Sequence, residues 1–415
     1  MKIAIIGTGI SGLGAAWLLK PLHDVTVYES NNYIGGHSRT IRIPDEDKDV
    51  FVDTGFIVFN HRNYPNLTSL FKELKVRTIK SDMSFGASIG NSWLEYGSKG
   101  MFAQKKNFFR LAFWGMIIDI IRFNKNALTY LESHQTATLR ELLDEMEMGE
   151  WFRRYYLQAM GAAIWSCAIE TILDFPASTF LNFFKNHGLL TINSHPQWYT
   201  VDGGSHEYVK RLTSSFQDDI RMNCGVTKVS RIENRLIVED STGYSEAYDH
   251  VIFACHADQA LRLISQPSPE QSSILGTFSY QKNRVVVHSD ESFMPKNKGC
   301  WASWVYHSET PVDKEPVVSL SYWMNQLQNL DTEKQIFVTL NPGREPSSSL
   351  TYDEYTFEHP VFTQDTLAAQ QKIESIQGLD NIWHCGAYQR YGFHEDGLIS
   401  AVAVATKLGA RIPWR

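Results

Sequence analysis

Gly7, Gly9 and Gly12, with Glu29 seventeen residues further on, are the positions whose types and spacing point most directly to chemistry. A glycine at 7 makes a tight turn, one at 9 lets the backbone come up to a pyrophosphate, and one at 12 lets a helix lie close on a strand. An acid at 29 can accept both hydroxyls of an adenosine ribose. The chemistry is the binding of a dinucleotide, and it needs a strand before the glycines and a helix after them. Both are present. Lys2 to Ile6 is an apolar run of strand length, Leu13 to Leu19 has helix composition, and Asp24 to Tyr28 reads as a second strand leading into Glu29. The phosphates belong at the helix N-terminus, where unpaired N–H groups and the helix dipole favour negative charge.

Gly35 and Gly36 give a second close backbone approach, with Ser38, Arg39 and Thr40 beside them for phosphate or ribityl contacts. On the glycine turn, Glu29 and this Gly-Gly pair, the chain resembles the flavin-containing amine oxidase superfamily, which also holds protoporphyrinogen oxidases and carotenoid desaturases. The resemblance implies an α/β fold, in which an FAD-binding Rossmann-type domain is interleaved with an α+β substrate domain, and FAD held without a covalent link. The superfamily usually has Arg where His37 stands, so Arg39 is the expected substitute at the phosphate. Carried over residue by residue, the resemblance adds Ser11 and Ser30, Thr54, Gly55 and Phe56 near the flavin, and Val226 at the adenine. It also places Gly386 and Ala387 by the ribityl chain and Gly397 and Leu398 at the start of a final helix aimed at the ring. Asp396 is expected to cap that helix, with Glu395 turned away. The wording Gly392 to Gly397 is similar to a bacterial branch associated with fatty-acyl modification.

The implied reaction takes a hydride from a substrate carbon to flavin N5, with reoxidation by oxygen or another electron acceptor. Three readings stay open: an oxidase, dehydrogenase or desaturase acting on a hydrophobic small molecule, lipid or acyl chain; an amine oxidase in the strict sense; and a flavin-binding protein or isomerase without net redox turnover. Amine oxidases of this superfamily place a lysine above N5, and a loose alignment puts Arg284 there with Lys282 nearby. Arg284, His394 and Tyr388 are the catalytic candidates. Aromatic density between the flavin-binding pieces makes Trp165, Trp304, Tyr322 and Tyr388 candidates for lining an apolar pocket. The fourteen histidines show no metal-ligand spacing, so no metal is expected.

A chain of 415 residues is too long for one core. The expected division is 1–80, 200–262 and 375–415 for the flavin-binding domain and 81–199 and 263–374 for the substrate domain. A net charge of −7 without a dense basic tract argues against nucleic acid. Cys167, Cys224, Cys255, Cys300 and Cys385 are scattered and odd in number, which fits a reducing compartment. With no signal-peptide pattern before the first strand, a cytoplasmic location is expected. Phe108 to Phe123 reads as an apolar helix of about 24 Å, too short to span a bilayer. It is a core helix, a channel wall or an interfacial helix giving peripheral membrane contact. A further helix is expected from Phe180 to near Gly188, a strand at Phe51 to Phe59, and a small antiparallel sheet at Ile220 to Tyr248.

Overall fold

The structure, a computed structural model, describes residues 1–46, 48–133, 136–165, 171–186, 189–190, 196–310 and 318–414. Cys167 and the expected helix end at Gly188 lie outside the described residues.

The run Lys2–Ile6 (β1) is the centre of a five-stranded parallel sheet. It pairs with Asp24–Tyr28 (β2) on one side and His250–Phe253 on the other, and Ile220–Arg221 and Ile382–His384 form the edges. Side chains alternate across a strand, so a parallel sheet covered on both faces needs apolar residues at every position. Accordingly Ile3 and Ile5 enter one core with Leu13, Leu398 and Val402, while Ala4 and Ile6 enter another with Tyr248, Phe253 and Ala257. The helix Ile10–Leu19 (α1) lies on the first face beside the C-terminal helix His394–Lys407. A Cβ at Gly14 would stand 2.8 Å from Leu398 Cδ1, which shows how closely the two helices approach.

A second sheet has seven strands in the order Thr351–Pro360, Tyr280–His288, Phe337–Leu340, Ser319–Trp323, Trp304–Ser308, Phe85–Ile89 and Leu94–Gly97. All neighbours are antiparallel except Trp304–Ser308 with Phe85–Ile89. Helices from residues 111–186 pack into an aromatic-rich core that reaches this sheet through Ala87, Tyr96 and Tyr306.

Several expected boundaries move. The strand expected over Phe51 to Phe59 is two, Val50–Asp53 and Val58–Asn60, broken where Gly55 crosses His37. There a Cβ on Gly55 would stand 2.2 Å from the His37 carbonyl oxygen. Of the small sheet expected from Ile220, the first strand joins the parallel sheet, and the antiparallel part is Val226–Ile232, Arg235–Asp240 and Ser245–Tyr248. The apolar helix runs over Leu111–Ser133 (α3), later in start and longer than expected. Between β2 and α3 lies one more helix used below, Pro65–Glu73 (α2).

Candidate functional site

β1 feeds a turn in which Gly7 has φ +109° and donates its N–H to Tyr28 O at 2.8 Å. Gly12 lies so close under this turn that a Cβ would stand 1.9 Å from the Gly7 carbonyl oxygen. At Gly9 an added Cβ meets nothing within 4 Å. Its open side faces a cavity of about 1330 Å³ lined by Gly7, Thr8, Gly9, Ile10 and Ser11. α1 begins at this wall with no side-chain cap and no acid in its first turn, leaving its first N–H groups free for an anion.

Glu29 also lines the cavity and is 5% exposed. Its Oε1 accepts from Asn31 N and Nδ2, both at 2.8 Å, and its Oε2 accepts from Thr8 N at 3.2 Å and from the Thr8 hydroxyl. Two backbone N–H groups thus aim the carboxylate, while the Thr8 and Ser30 hydroxyls and the Asn31 amide are rotatable donors that ligand hydroxyls can displace. Gly36 packs on the glycine turn, its missing Cβ 2.9 Å from Gly9 Cα, and lines the cavity with Ser30, His37, Gly55 and Phe56. His37 stacks on Phe357 at 4.8 Å, and its buried Nε2 has no partner. Burial, with His359 and His256 nearby, holds the ring well below its ordinary pKa and therefore neutral. A free helix terminus, an open space at Gly9, an aimed carboxylate and an orphaned imidazole nitrogen along one wall fit a dinucleotide.

From the other end of the chain, Gly386, Ala387, Tyr388 and His394 reach the same cavity. His394 lies face to face with Phe56 at 3.9 Å. Its Nε2 is bound by Tyr208 Oη at 2.8 Å and Ser38 Oγ at 3.0 Å, and burial lowers its pKa to about 3. A neutral ring already committed to two hydroxyls is a positioned wall and a poor proton carrier near neutral pH. Tyr388 is buried with its ring against Phe278, and burial raises its pKa.

Other expected contacts lie elsewhere. Arg284 does not line the cavity; its guanidinium is taken by Glu345 and Glu354 at 2.6 to 2.9 Å, and Lys282 lines the wall instead. Arg39 is not among the lining residues: Asp353 binds it at 2.7 and 3.2 Å and it covers the Tyr355 ring. Thr54 is turned to Arg39 O, and Ser38 faces Tyr208 behind the wall. Val226 packs against the Tyr248 and Phe253 core outside the lining, and Gly12 and Gly35 act through packing behind it. Gly397 and Leu398 also miss the cavity. The final helix starts at His394, one turn earlier than expected, because Asp396 sits inside its first turn and accepts Phe393 N at 3.0 Å. Gly397 is then pressed against Ser11 and Ile10, and Leu398 against Gly14.

Sequence reasoning missed two buried acids that hold the wall. Asp53 accepts Ser205 N at 2.8 Å ahead of the helix His206–Thr213, and also Thr40 and Gln328. Glu395, expected to turn away, accepts Asn66 N and Leu67 N, both at 2.9 Å, and so anchors the N-terminus of α2. An acid beside a helix start is legible only when the two are neighbours in sequence, and these are not.

Asp396 carries a pH-dependent cost. Burial raises its pKa from 3.8 to about 6, with Phe393 N and Arg390 opposing. Below about pH 4 it is protonated in both folded and unfolded chains; the penalty grows as pH rises to about 6 and is complete above it. At 1.36 kcal/mol per unit the penalty reaches about 3 kcal/mol. Asp396→Asn keeps an acceptor for Phe393 N, so it should unfold at higher urea than the parent at neutral pH, with the margin vanishing near pH 4. A margin independent of pH would refute this.

Another part of the lining is aromatic and apolar: Trp165, Trp304, Tyr322, Phe183, Met160 and Ile120. The indole nitrogens of Trp165 and Trp304 are buried without partners. Asp82 stands on this wall already bound to Lys99, Ser84 and Ser303; against the effect of burial they hold its pKa at about 2.

Residues 10–347 match the family described as flavin containing amine oxidoreductase. Amine oxidase [flavin-containing] A of Sus scrofa is 22% identical over 339 residues, 75% of this chain and 61% of that enzyme. The chain thus spans about 61% of the length of that relative. Among solved structures, a CLA-producing fatty acid isomerase from P. acnes superposes with TM-score 0.68 at 14% identity, covering 98% of both chains. Cyclohexylamine oxidase from Brevibacterium oxydans IH-35A superposes with TM-score 0.69 at 13% identity, covering 98% of this chain and 99% of that one. At these identities the two structures speak to the fold.

Proposed function

The chain belongs to the flavin containing amine oxidoreductase family, and from that premise we propose that it is an FAD-dependent oxidoreductase acting on a hydrophobic, acyl-bearing substrate. The observation that carries this reading is one cavity of about 1330 Å³ whose lining runs from Gly7–Ser11 and Glu29 to Trp165, Trp304 and Tyr322. Sites for a single ligand commonly hold roughly 300–1,000 Å³, so the space suits a dinucleotide with a second molecule beside it. FAD, when bound, supplies the acceptor for a hydride from a substrate carbon, and oxygen or another acceptor takes the electrons on.

The chain supplies binding and orientation. The N-terminus of α1 holds the pyrophosphate, Glu29 the ribose, and His37 Nε2, the bare nitrogen of a neutral ring whose other nitrogen donates to Glu358 O, accepts from a ligand hydroxyl along the same wall. The flavin-binding part comprises 1–80, 200–262 and 375–415, and the substrate part 81–199 and 263–374. Trp165 and Trp304 favour an acyl substrate over an amine. Two buried indole N–H groups need acceptors, which a carbonyl or carboxylate provides and an ammonium does not.

No cysteine lies between Pro342 and Ile382. Cys385 is fully buried with its thiol toward Ser400 O, and burial pushes Cys255, on the cavity wall, up to about 12. Neither is a thiolate ready for attachment, so acid precipitation should release all flavin colour into the supernatant. Under anaerobic conditions long-chain acyl compounds should bleach the bound flavin and amines of equal length should not. Bleaching by amines alone would establish the strict amine oxidase reading, and bleaching by neither would favour isomerase chemistry.

A further inference from the structure

The exposed flank of α3 carries an apolar surface that the cavity does not use. Phe108, Phe109, Leu111, Trp114, Ile118 and Ile121 are between 37% and 88% exposed. The spacing of Leu111, Trp114, Ile118 and Ile121 puts them on one side of the helix. Phe113, Met116, Phe123 and Ala127 fill the opposite, buried side. Ile120 and Asn124, from the same helix, line the cavity, so α3 separates the cavity from this surface.

The charges around it run against the rest of the molecule. Residues 99–126 hold six basic residues and one acid in a chain of net charge −7, and two of the six, Lys99 and Arg122, are held by Asp82 and Asp119. The acid, Asp119, is engaged by Arg122 at 2.9 Å and by Gly149 N at 2.9 Å. Lys105 and Lys106 are exposed immediately before Phe108. Exposed aromatic and branched side chains beside lysines are the composition that settles in a headgroup layer, rings at the acyl boundary and ammonium groups among phosphates. A two-fold contact between copies through this face would set positive charge against positive charge. No helix of the described residues is long and apolar enough to cross a membrane.

We propose that the Lys105–Ile121 face seats the protein on the surface of an anionic lipid bilayer, beside the wall of the substrate cavity. The docking stands on exposure and charge alone. Only its consequence, that the acyl substrate arrives from the bilayer, rests on the function proposed above.

The test is sedimentation of the full-length protein with vesicles of phosphatidylcholine mixed with phosphatidylglycerol, against vesicles of phosphatidylcholine alone. Binding should favour the anionic vesicles and fall with salt. Each cation near such a surface is worth roughly a fivefold factor in partition, so the double variant Lys105→Glu, Lys106→Glu should bind at least about twentyfold more weakly. The triple variant Phe109→Ser, Leu111→Ser, Ile118→Ser alters only exposed positions and should abolish sedimentation with the flavin content unchanged. Wild-type protein that stays in the supernatant, variants that bind like wild type, or a lipid-free dimer dispersed by the triple variant would each overturn the proposal. Wild-type protein that binds the anionic vesicles but holds no flavin would leave the docking standing and count against the proposed function.

Discussion

Gly9→Ala should leave a chain as stable as the parent and without its cofactor, whereas Gly12→Ala should lose the fold. The two glycines are three residues apart in one turn, and their surroundings differ. Gly9 has φ −66° and ψ 177°, which alanine adopts freely, and its added methyl meets no protein atom within 4 Å. Unfolding by urea should therefore be unchanged to within about 0.5 kcal/mol, the ordinary scale for substitutions that touch nothing. The methyl does occupy space on the cavity wall at the mouth of α1. If a pyrophosphate lies there, a carbon at that point forces it off the helix N–H groups, and two lost charge-assisted hydrogen bonds cost on the order of 3 to 6 kcal/mol. The FAD dissociation constant should rise at least about a hundredfold by fluorescence titration. At Gly12 the added carbon would stand 1.9 Å from a backbone oxygen, which no rotamer change relieves. Overpacking against backbone costs about 3 kcal/mol or more, and soluble expression should fall. Gly9→Ala protein that binds FAD like the parent would show that the open space at Gly9 is not the phosphate site.

The glycine turn, both strands and Glu29 are legible because everything that defines them lies within the first thirty residues and is backbone geometry. The seven-stranded sheet is legible only in part: strands can be read near Arg284–His288, Trp301–Tyr306, Ser319–Trp323 and Ile336–Leu340, but not Phe85–Ile89, Leu94–Gly97 or Thr351–Pro360, and not the order, since Phe85–Ile89 joins Trp304–Ser308 across more than two hundred residues. Two arginines stand apart from the cavity for one shared reason. Arg39 and Arg284 read as free cations, and each is claimed by acids remote in sequence, Asp353 in one case and Glu345 with Glu354 in the other. The misplaced start of the final helix has a local cause. Phe393 is at the N-cap, where its ring offers no acceptor, and Asp396 supplies one from within the helix, so the polar residue that signals a helix start stands three positions late. His394 is thereby moved from a loop to the first helical position, where Ser38 and Tyr208 bind it.

Glu29→Gln should separate the aiming of the ribose site from its charge. In the parent both carboxylate oxygens accept, Oε1 from Asn31 N and Oε2 from Thr8 N. Glutamine keeps the length and one acceptor but sets an amide donor against one of those N–H groups. One end of the clamp is lost, and with it the charge that would strengthen the two ribose hydrogen bonds proposed for Glu29. Each such bond is worth on the order of 1.5 to 3 kcal/mol, so FAD affinity should fall by roughly a hundredfold to ten-thousandfold. Glu29→Asp keeps the charge and shortens the reach, and should recover part of the loss if ionic recognition of the hydroxyls dominates. Riboflavin monophosphate, which lacks the adenosine ribose, provides the control: its weak binding should not change in either variant, because the contact proposed for Glu29 is to hydroxyls that this flavin does not carry. Equal weakening of both flavins would mean that Glu29 serves to hold the Thr8 and Asn31 turns in place and does not itself bind the ribose.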